Sequence, residues 1–296
     1  MSAKPLAVLG IPFNPRGAIE QRVACPQCSK REREDTLGVN TETGVYHCFR
    51  CGWAGRAGGD FRRPAPVVAR VDDPAAIERK RERLRAIWRG GVALADRGAR
   101  VICRYLEARG LGEILKQPPA VLRAHPALEY WDGARSLGTF PAMIGLFHGS
   151  AGEPVTLHVT YLRADGCAKA PVPSPKKILG VPVRGATRGG AIRLYPPKDG
   201  VLGVCEGIEN ALSLHILEGF PVWSSFCAGN LQYVRFPDDL RFLHVGVDLD
   251  KSEAGEKAAK ALAARARRQR PDIRVVLWYP EIGNDLNAEI LHRRAS

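Results

Sequence analysis

No stretch of the 296-residue sequence approaches the roughly 18 consecutive apolar residues that a bilayer-spanning helix requires. The N-terminal MSAKPLAVLGIPFNP carries a short apolar patch without a full hydrophobic region or a small-residue cleavage site, so no signal peptide is expected. The expected location is cytoplasmic, with no membrane partner. A phosphate-binding loop of the GxxxxGK(S/T) type is missing, and with it the usual signature of a built-in ATPase. Tandem repeats and coiled-coil heptads are absent as well. Acidic residues are in short supply: 31 Asp and Glu face 44 Lys and Arg, for a net charge of +13. Such a surface repels cations and attracts polyanions, nucleic acid first among them. The remaining composition, 45% hydrophobic and 25% charged, is that of a globular chain of about two domains.

Eight cysteines are present, and four are clustered. Cys25 and Cys28 lie in CPQC, Cys48 and Cys51 in CFRC, with a 19-residue gap between the pairs. Each CxxC turn aims two thiolates at one centre, and a hairpin in the gap brings the two turns together. Four sulfurs then close a tetrahedron around a structural zinc ion. His47 is a possible substitute ligand. Arg22, Lys30, Arg31, Arg33, Arg50 and Arg56 surround the cluster together with Trp53. Basic residues around an exposed aromatic suit single-stranded nucleic acid, and a plain solvated basic rim reads equally well. Cys103, Cys167, Cys205 and Cys227 have no pair spacing and read as buried small apolar residues.

Composition changes along the chain divide it into a small β zinc ribbon over residues 15–60, a Gly- and Pro-rich linker over 61–74, a basic mixed α+β segment over 75–199 and an α/β domain over 200–296. AAIERKRERLRAIW and ARVICRYLEARGL have helical spacing, the second ending at Gly110. TLHVTYLRADG alternates apolar and polar residues and then turns at Asp165-Gly166. After Gly200 short apolar strands alternate with helices, which implies a parallel sheet with helices on both faces.

Carboxylates stand at the ends of two of these strands. Glu206 ends VLGVCEG, and Asp248 and Asp250 end FLHVGVDLD. In open α/β sheets ligands bind in the crevice at the carboxyl ends of the strands. Carboxylates gathered there repel one another, and a divalent cation with oxygen ligands, magnesium or manganese, relieves the repulsion. Asp285 in GNDLN either completes the acidic set or caps the last helix. A single Asp at a strand end is usually a turn or cap residue. The combination of strand-Glu-Gly-helix with strand-DxD in a basic chain makes the stronger case.

CEGIENALS followed by VGVDLDKSEAGEKAA resembles the Toprim domain shared by DnaG-type primases, topoisomerases and some nucleases, and GNDLN resembles its third acidic motif. TYLRADGCAKAPVPSPKKILG and GGAIRLYPP ahead of the acidic strand are similar to segments of the phage- and plasmid-type primases. Those often have DNDxxG, whereas here Leu249 lies between the acids and KSEAG delays the glycine. The resemblance implies a DNA primase, a nucleotidyltransferase of DNA replication that makes short RNA primers on single-stranded DNA from ribonucleoside triphosphates. It implies Glu206, Asp248 and Asp250 as catalytic and magnesium-binding residues, with Asp285 as a further candidate ligand. Arg163, Lys169, Lys176, Lys177 and Trp53 would face template and nucleotide. A replicative helicase would act in trans, in the cytoplasm of a bacterial host if the gene belongs to a phage or plasmid. A Toprim nuclease and a non-catalytic DNA-binding accessory protein stay open as alternatives.

Overall fold

The computed structural model describes residues 3–28, 36–48, 53–57, 73–183, 185–249 and 253–295. Cys51 and Asp250 lie outside the described residues, as do Lys30, Arg31, Arg33 and Arg50. The chain divides into two compact units between Val71 and Asp72.

In the first unit, helix α1 (Ala3–Val8) precedes strands β1 (Glu20–Val23), β2 (Leu37–Asn40), β3 (Val45–Cys48) and β4 (Ala54–Arg56). They pair in chain order as one antiparallel sheet. Leu6, Ile11, Leu37, Val39 and Tyr46 are buried around Cys25 and Cys48. Trp53 is half-buried, its ring centroid 4.5 Å from that of Tyr46. Gly55 permits this packing, because a Cβ there would stand 2.5 Å from the Tyr46 hydroxyl. An apolar core this small rarely holds a fold without a cross-link.

The second unit opens with α2 (Pro74–Arg89). Asp73 caps it by accepting from the Ala75 N–H at 3.0 Å, and Pro74 suits the first turn, where no donor is needed. Helix α3 (Arg100–Ala108) buries Ile102, Tyr105 and Leu106 and stops at Gly110, whose φ of +73° favours glycine. Strands β5 (Val92–Ala93), β6 (Leu122–Asp132), β7 (Arg135–His148), β8 (Pro154–Tyr161) and β9 (Lys176–Ile178) form an antiparallel sheet in chain order. After β8 the chain turns through Asp165 and Gly166, and Leu162 bridges Lys169 across the turn. Cys167 is exposed in this turn, and Cys103 and Cys227 are only half-buried. Of the four scattered cysteines Cys205 alone is a full core residue.

The rest of the unit is a parallel sheet of β10 (Val201–Cys205), β11 (Val222–Ser224), β12 (Phe242–Gly246) and β13 (Arg274–Trp278), in the order β11-β10-β12-β13. Its helices are α4 (Ile208–Glu218), α5 (Ala228–Leu231), α6 (Ala254–Gln269) and α7 (Leu286–Ala295). One face packs Cys205 and Val222 against α4 and α7 and, beyond them, Leu122, Met143 and Phe147 of the antiparallel sheet. The other face packs Leu202, Val204 and Val245 against Ala259, Leu262 and Ala266 of α6. The sheets are also joined through backbone: Ala191 bridges His148 of β7, and Ile192 bridges Ser224 of β11.

Strand β8 departs from its sequence pattern. Alternation predicts one face in solvent, yet Thr156, His158 and Thr160 are all buried. Phe226, beyond the end of β11, packs on His158, with ring centroids 6.4 Å from His158 and 6.1 Å from Phe147. Burial lowers the His158 pKa from 6.5 to about 4; the Glu209 charge opposes this, and the Lys176 and Lys169 charges add to it. The imidazole is therefore buried neutral.

Two outcomes test this architecture. A Cβ at Gly110 would meet Ile290 Cγ2 at 2.7 Å. Gly110→Ala should therefore cost about 1–2 kcal/mol, a fall in Tm of roughly 3–6 °C by calorimetry. His158 has a depressed folded pKa, so the unfolded chain binds more protons between pH 6.5 and 4. Its contribution is full above pH 6.5 and is lost as pH falls toward 4, about 3 kcal/mol over the window. Urea unfolding at pH 7 and at 4.5 should show this loss in the parent and a smaller one in His158→Gln.

Candidate functional site

Three sulfurs gather in the first unit. Cys25, Cys28 and Cys48 place their Sγ atoms within 4.8 Å of one another, and the Cys28–Cys48 separation is 3.6 Å. A disulfide would require about 2.05 Å. Sulfurs about 2.3 Å from a tetrahedral zinc sit about 3.8 Å apart, so the spacing fits a shared ion. Cys25 and Cys48 are buried, and the triad is compatible with zinc.

The acidic residues stand at the carboxyl ends of neighbouring parallel strands. Glu206 follows β10, half-buried, with its carbonyl accepting from the Ser224 hydroxyl at 2.8 Å. Gly207 then lets the chain enter α4 at once, which sets Glu206 against the positive end of that helix. Asp248 lies two residues past β12. Val247 N–H donates to the Trp278 carbonyl at 2.9 Å, and Leu249 N–H to the Asn284 carbonyl at 2.8 Å, so the loop is pinned on both sides of Asp248. Gly255 in α6 fits tightly beneath it: a Cβ there would stand 2.6 Å from the Asp248 carbonyl oxygen. Burial, and after it the Asp248 charge, push the neighbouring Cys205 thiol well above its ordinary range.

Asp285 accepts from the Ala288 N–H at 2.8 Å and so caps α7. Among the described residues the cysteine triad is the only group of three ligand-capable side chains within 4.8 Å; Glu206, Asp248 and Asp285 do not converge to that degree. A groove of about 720 Å³ between α2 and β8, lined by Leu84, Trp88, Val155 and Leu157 among others, contains none of these acids.

Helix α4 contributes two residues that sequence reasoning passed over. Asn210 donates through Nδ2 to Asp248 Oδ1 at 2.7 Å and accepts from the Asn287 N–H at 3.3 Å. Asn287 in turn donates to the Arg109 carbonyl at 2.8 Å and to Ser213 Oγ at 3.2 Å. Glu209 accepts from the Tyr105 hydroxyl at 2.9 Å and lies 3.4 Å from Lys169 Nζ. Burial raises the Glu209 pKa, but Lys169 and then Lys176 more than offset it and hold the carboxyl at about 2. The available signal was the presence of Glu209, Asn210 and Ser213 among the apolar residues of the first two turns of the helix.

The basic candidates fall in different surroundings. Lys169 faces Glu209. Lys177 lies 3.8 Å over the Tyr130 ring and donates to the Trp131 carbonyl. Arg163 pairs with Asp165 at 2.9 Å. Lys176 is exposed and, among the described residues, has no ion pair. No helix of the described residues is long and apolar enough to cross a membrane.

Two family models match the chain. Residues 78–189 match a domain of unknown function (DUF7146), and residues 201–295 match the Toprim domain. No curated protein is significantly similar. Among solved structures, the primase fragment of the bacteriophage T7 primase-helicase protein is 16% identical over 93% of this chain and 96% of its own, with a TM-score of 0.40. A DNA primase domain from Pseudomonas aeruginosa is 15% identical over 71% of this chain and 74% of its own, with a TM-score of 0.47. The zinc-binding and RNA polymerase domains of the Aquifex aeolicus primase are 14% identical over 100% of this chain and 82% of theirs, with a TM-score of 0.40. The parallel sheet that sets Glu206 and Asp248 on adjacent strand ends is a Toprim domain.

Proposed function

We propose that this protein is a DNA primase that makes short RNA primers on single-stranded DNA by metal-dependent nucleotidyl transfer. The observation that carries the reading is Glu206 and Asp248 at adjacent strand ends of a Toprim domain, in one compact unit with a lysine-bearing antiparallel sheet. In this reading Glu206, Asp248 and Asp250 would offer the hard oxygens that suit magnesium or manganese. An ion held there would supply charge neutralisation at the reacting phosphates. Glu206, at the N-terminus of α4, would act as general base toward the attacking 3′-hydroxyl or as a metal ligand. Asn210 and the pinned loop hold Asp248 in one orientation. Basic charge on the antiparallel sheet would offset that of template and triphosphate, and most of the rate enhancement would come from such positioning and charge.

The first unit is read as a zinc ribbon, with Cys51 as the fourth ligand beside Cys25, Cys28 and Cys48. Its task is to bind template and help select the start site. Ribonucleoside triphosphates are the substrates, a replicative helicase acts in trans, and the setting is the cytoplasm, that of a bacterial host if the gene belongs to a phage or plasmid.

The decisive assay combines single-stranded template, labelled ribonucleotides and magnesium, with product sizing. Short template-dependent oligoribonucleotides are expected, and Asp248→Ala should lower their yield on the order of 10²-fold or more. Full synthesis by that variant rules out the site. Cleavage of labelled DNA with metal and no nucleotide points to a nuclease instead. Elemental analysis should find about one zinc per chain, in line with a single closed four-ligand site. Cys48→Ser should lose the zinc and start-site choice while the Toprim domain keeps its own melting transition.

A further inference from the structure

Glu209 is a buried, ionised carboxylate one residue from Asn210 and three from Glu206. Its side chain is 6% exposed, and its partners come from two other parts of the unit. Tyr105 belongs to α3 and is itself buried, and burial raises its hydroxyl pKa, so it stays protonated and donates. Lys169 belongs to the turn after β8, where Leu162 bridges it across the hairpin. The helix that begins at the acidic strand end is therefore tied by charge to the sheet that carries the basic candidates.

We propose that Glu209 is a positioning residue: from inside the unit it holds Lys169 and Tyr105 in an ionic seam that joins α4 to α3 and to the turn after β8, so that Lys176, not Lys169, is the lysine that meets substrate phosphates. The inference rests on the nucleotidyl-transfer reading for the role of Lys176, but the seam itself does not depend on it. A Lys169 that swung out to a phosphate would leave the buried Glu209 charge without its ion-pair partner, held by the Tyr105 hydroxyl and the charge of Lys176 alone, which is unfavourable. His158 is buried and neutral and cannot supply the missing cation. Lys177 is committed to Tyr130 and the Trp131 carbonyl. Lys176 is left on the same strand, exposed, and near enough for its charge to act on both Glu209 and His158.

The test is a double-mutant cycle in the full chain, read by thermal melting and by anisotropy of a fluorescent ATP analogue with magnesium. Lys169→Met should lower the Tm of the Toprim-bearing unit by several degrees or prevent its folding. Adding Glu209→Gln should restore most of the Tm and of the ATP-analogue affinity, and Lys169→Arg should keep both. Lys176→Ala should lower the Tm by less than Lys169→Met does, weaken the analogue about fivefold or more, and raise the nucleotide KM with little change in kcat. The proposal is overturned if Lys169→Met melts like the parent, if the two substitutions lower the Tm additively, or if Lys169→Arg folds normally but loses the analogue. It is equally overturned if Lys176→Ala binds the analogue like the parent. If the parent itself binds no analogue, the nucleotidyl-transfer reading and the role of Lys176 fall, while the Tm cycle still decides whether the seam exists.

Discussion

An ionised carboxylate in a protein interior dictates what surrounds it, and Glu209 does so here. Its charge is tolerable because Lys169 stands 3.4 Å away and the Tyr105 hydroxyl donates to it at 2.9 Å. These partners belong to the turn after β8 and to α3, so the demand for a counter-charge and a hydrogen-bond donor draws both onto α4. Adjacent positions on the same helix serve the candidate site. Asn210 orients Asp248, and Asn287 ties Asn210 and Ser213 to the end of α3. One helix thus carries structural charge balance and site geometry.

The antiparallel sheet buries polar groups of its own. Strand β8 has Thr156, His158 and Thr160 where a free sheet would meet water, and all three are buried. A polar sheet face in the interior is a poor basis for tight apolar packing, and the unit compensates with ring contacts to Phe226 and with backbone bridges through Ala191 and Ile192. Apolar packing of Met143, Phe147 and Leu122 against Leu212 and Ile208 then supplies the non-directional part of the interface. The polar contacts set its register, because each has few acceptable geometries.

The first unit is governed by a different constraint. Its apolar core is small, and two of the buried residues are cysteines. Sulfurs 3.6 Å apart without a disulfide are placed as a tetrahedral ion would place them. Trp53 serves the core by packing on Tyr46, which leaves less of the ring for stacking on a base than its position beside basic residues suggested.

Much of this was legible in the chain itself. The CxxC pairs, the alternation of strands and helices after Gly200 and the Toprim resemblance all follow from local spacing, because period and short-range turn chemistry are properties of neighbours in sequence. The carboxylates Glu206 and Asp248 were legible for the same reason, since a strand end followed by Gly or DxD is a local pattern. Only the tertiary structure decided the rest. It gave Asp285 a helix to cap, set Lys169 against Glu209 and Lys177 over Tyr130, and turned the polar face of β8 inward. These outcomes depend on which distant segments meet, and a side chain's charge partner and burial belong to the meeting, not to the residue.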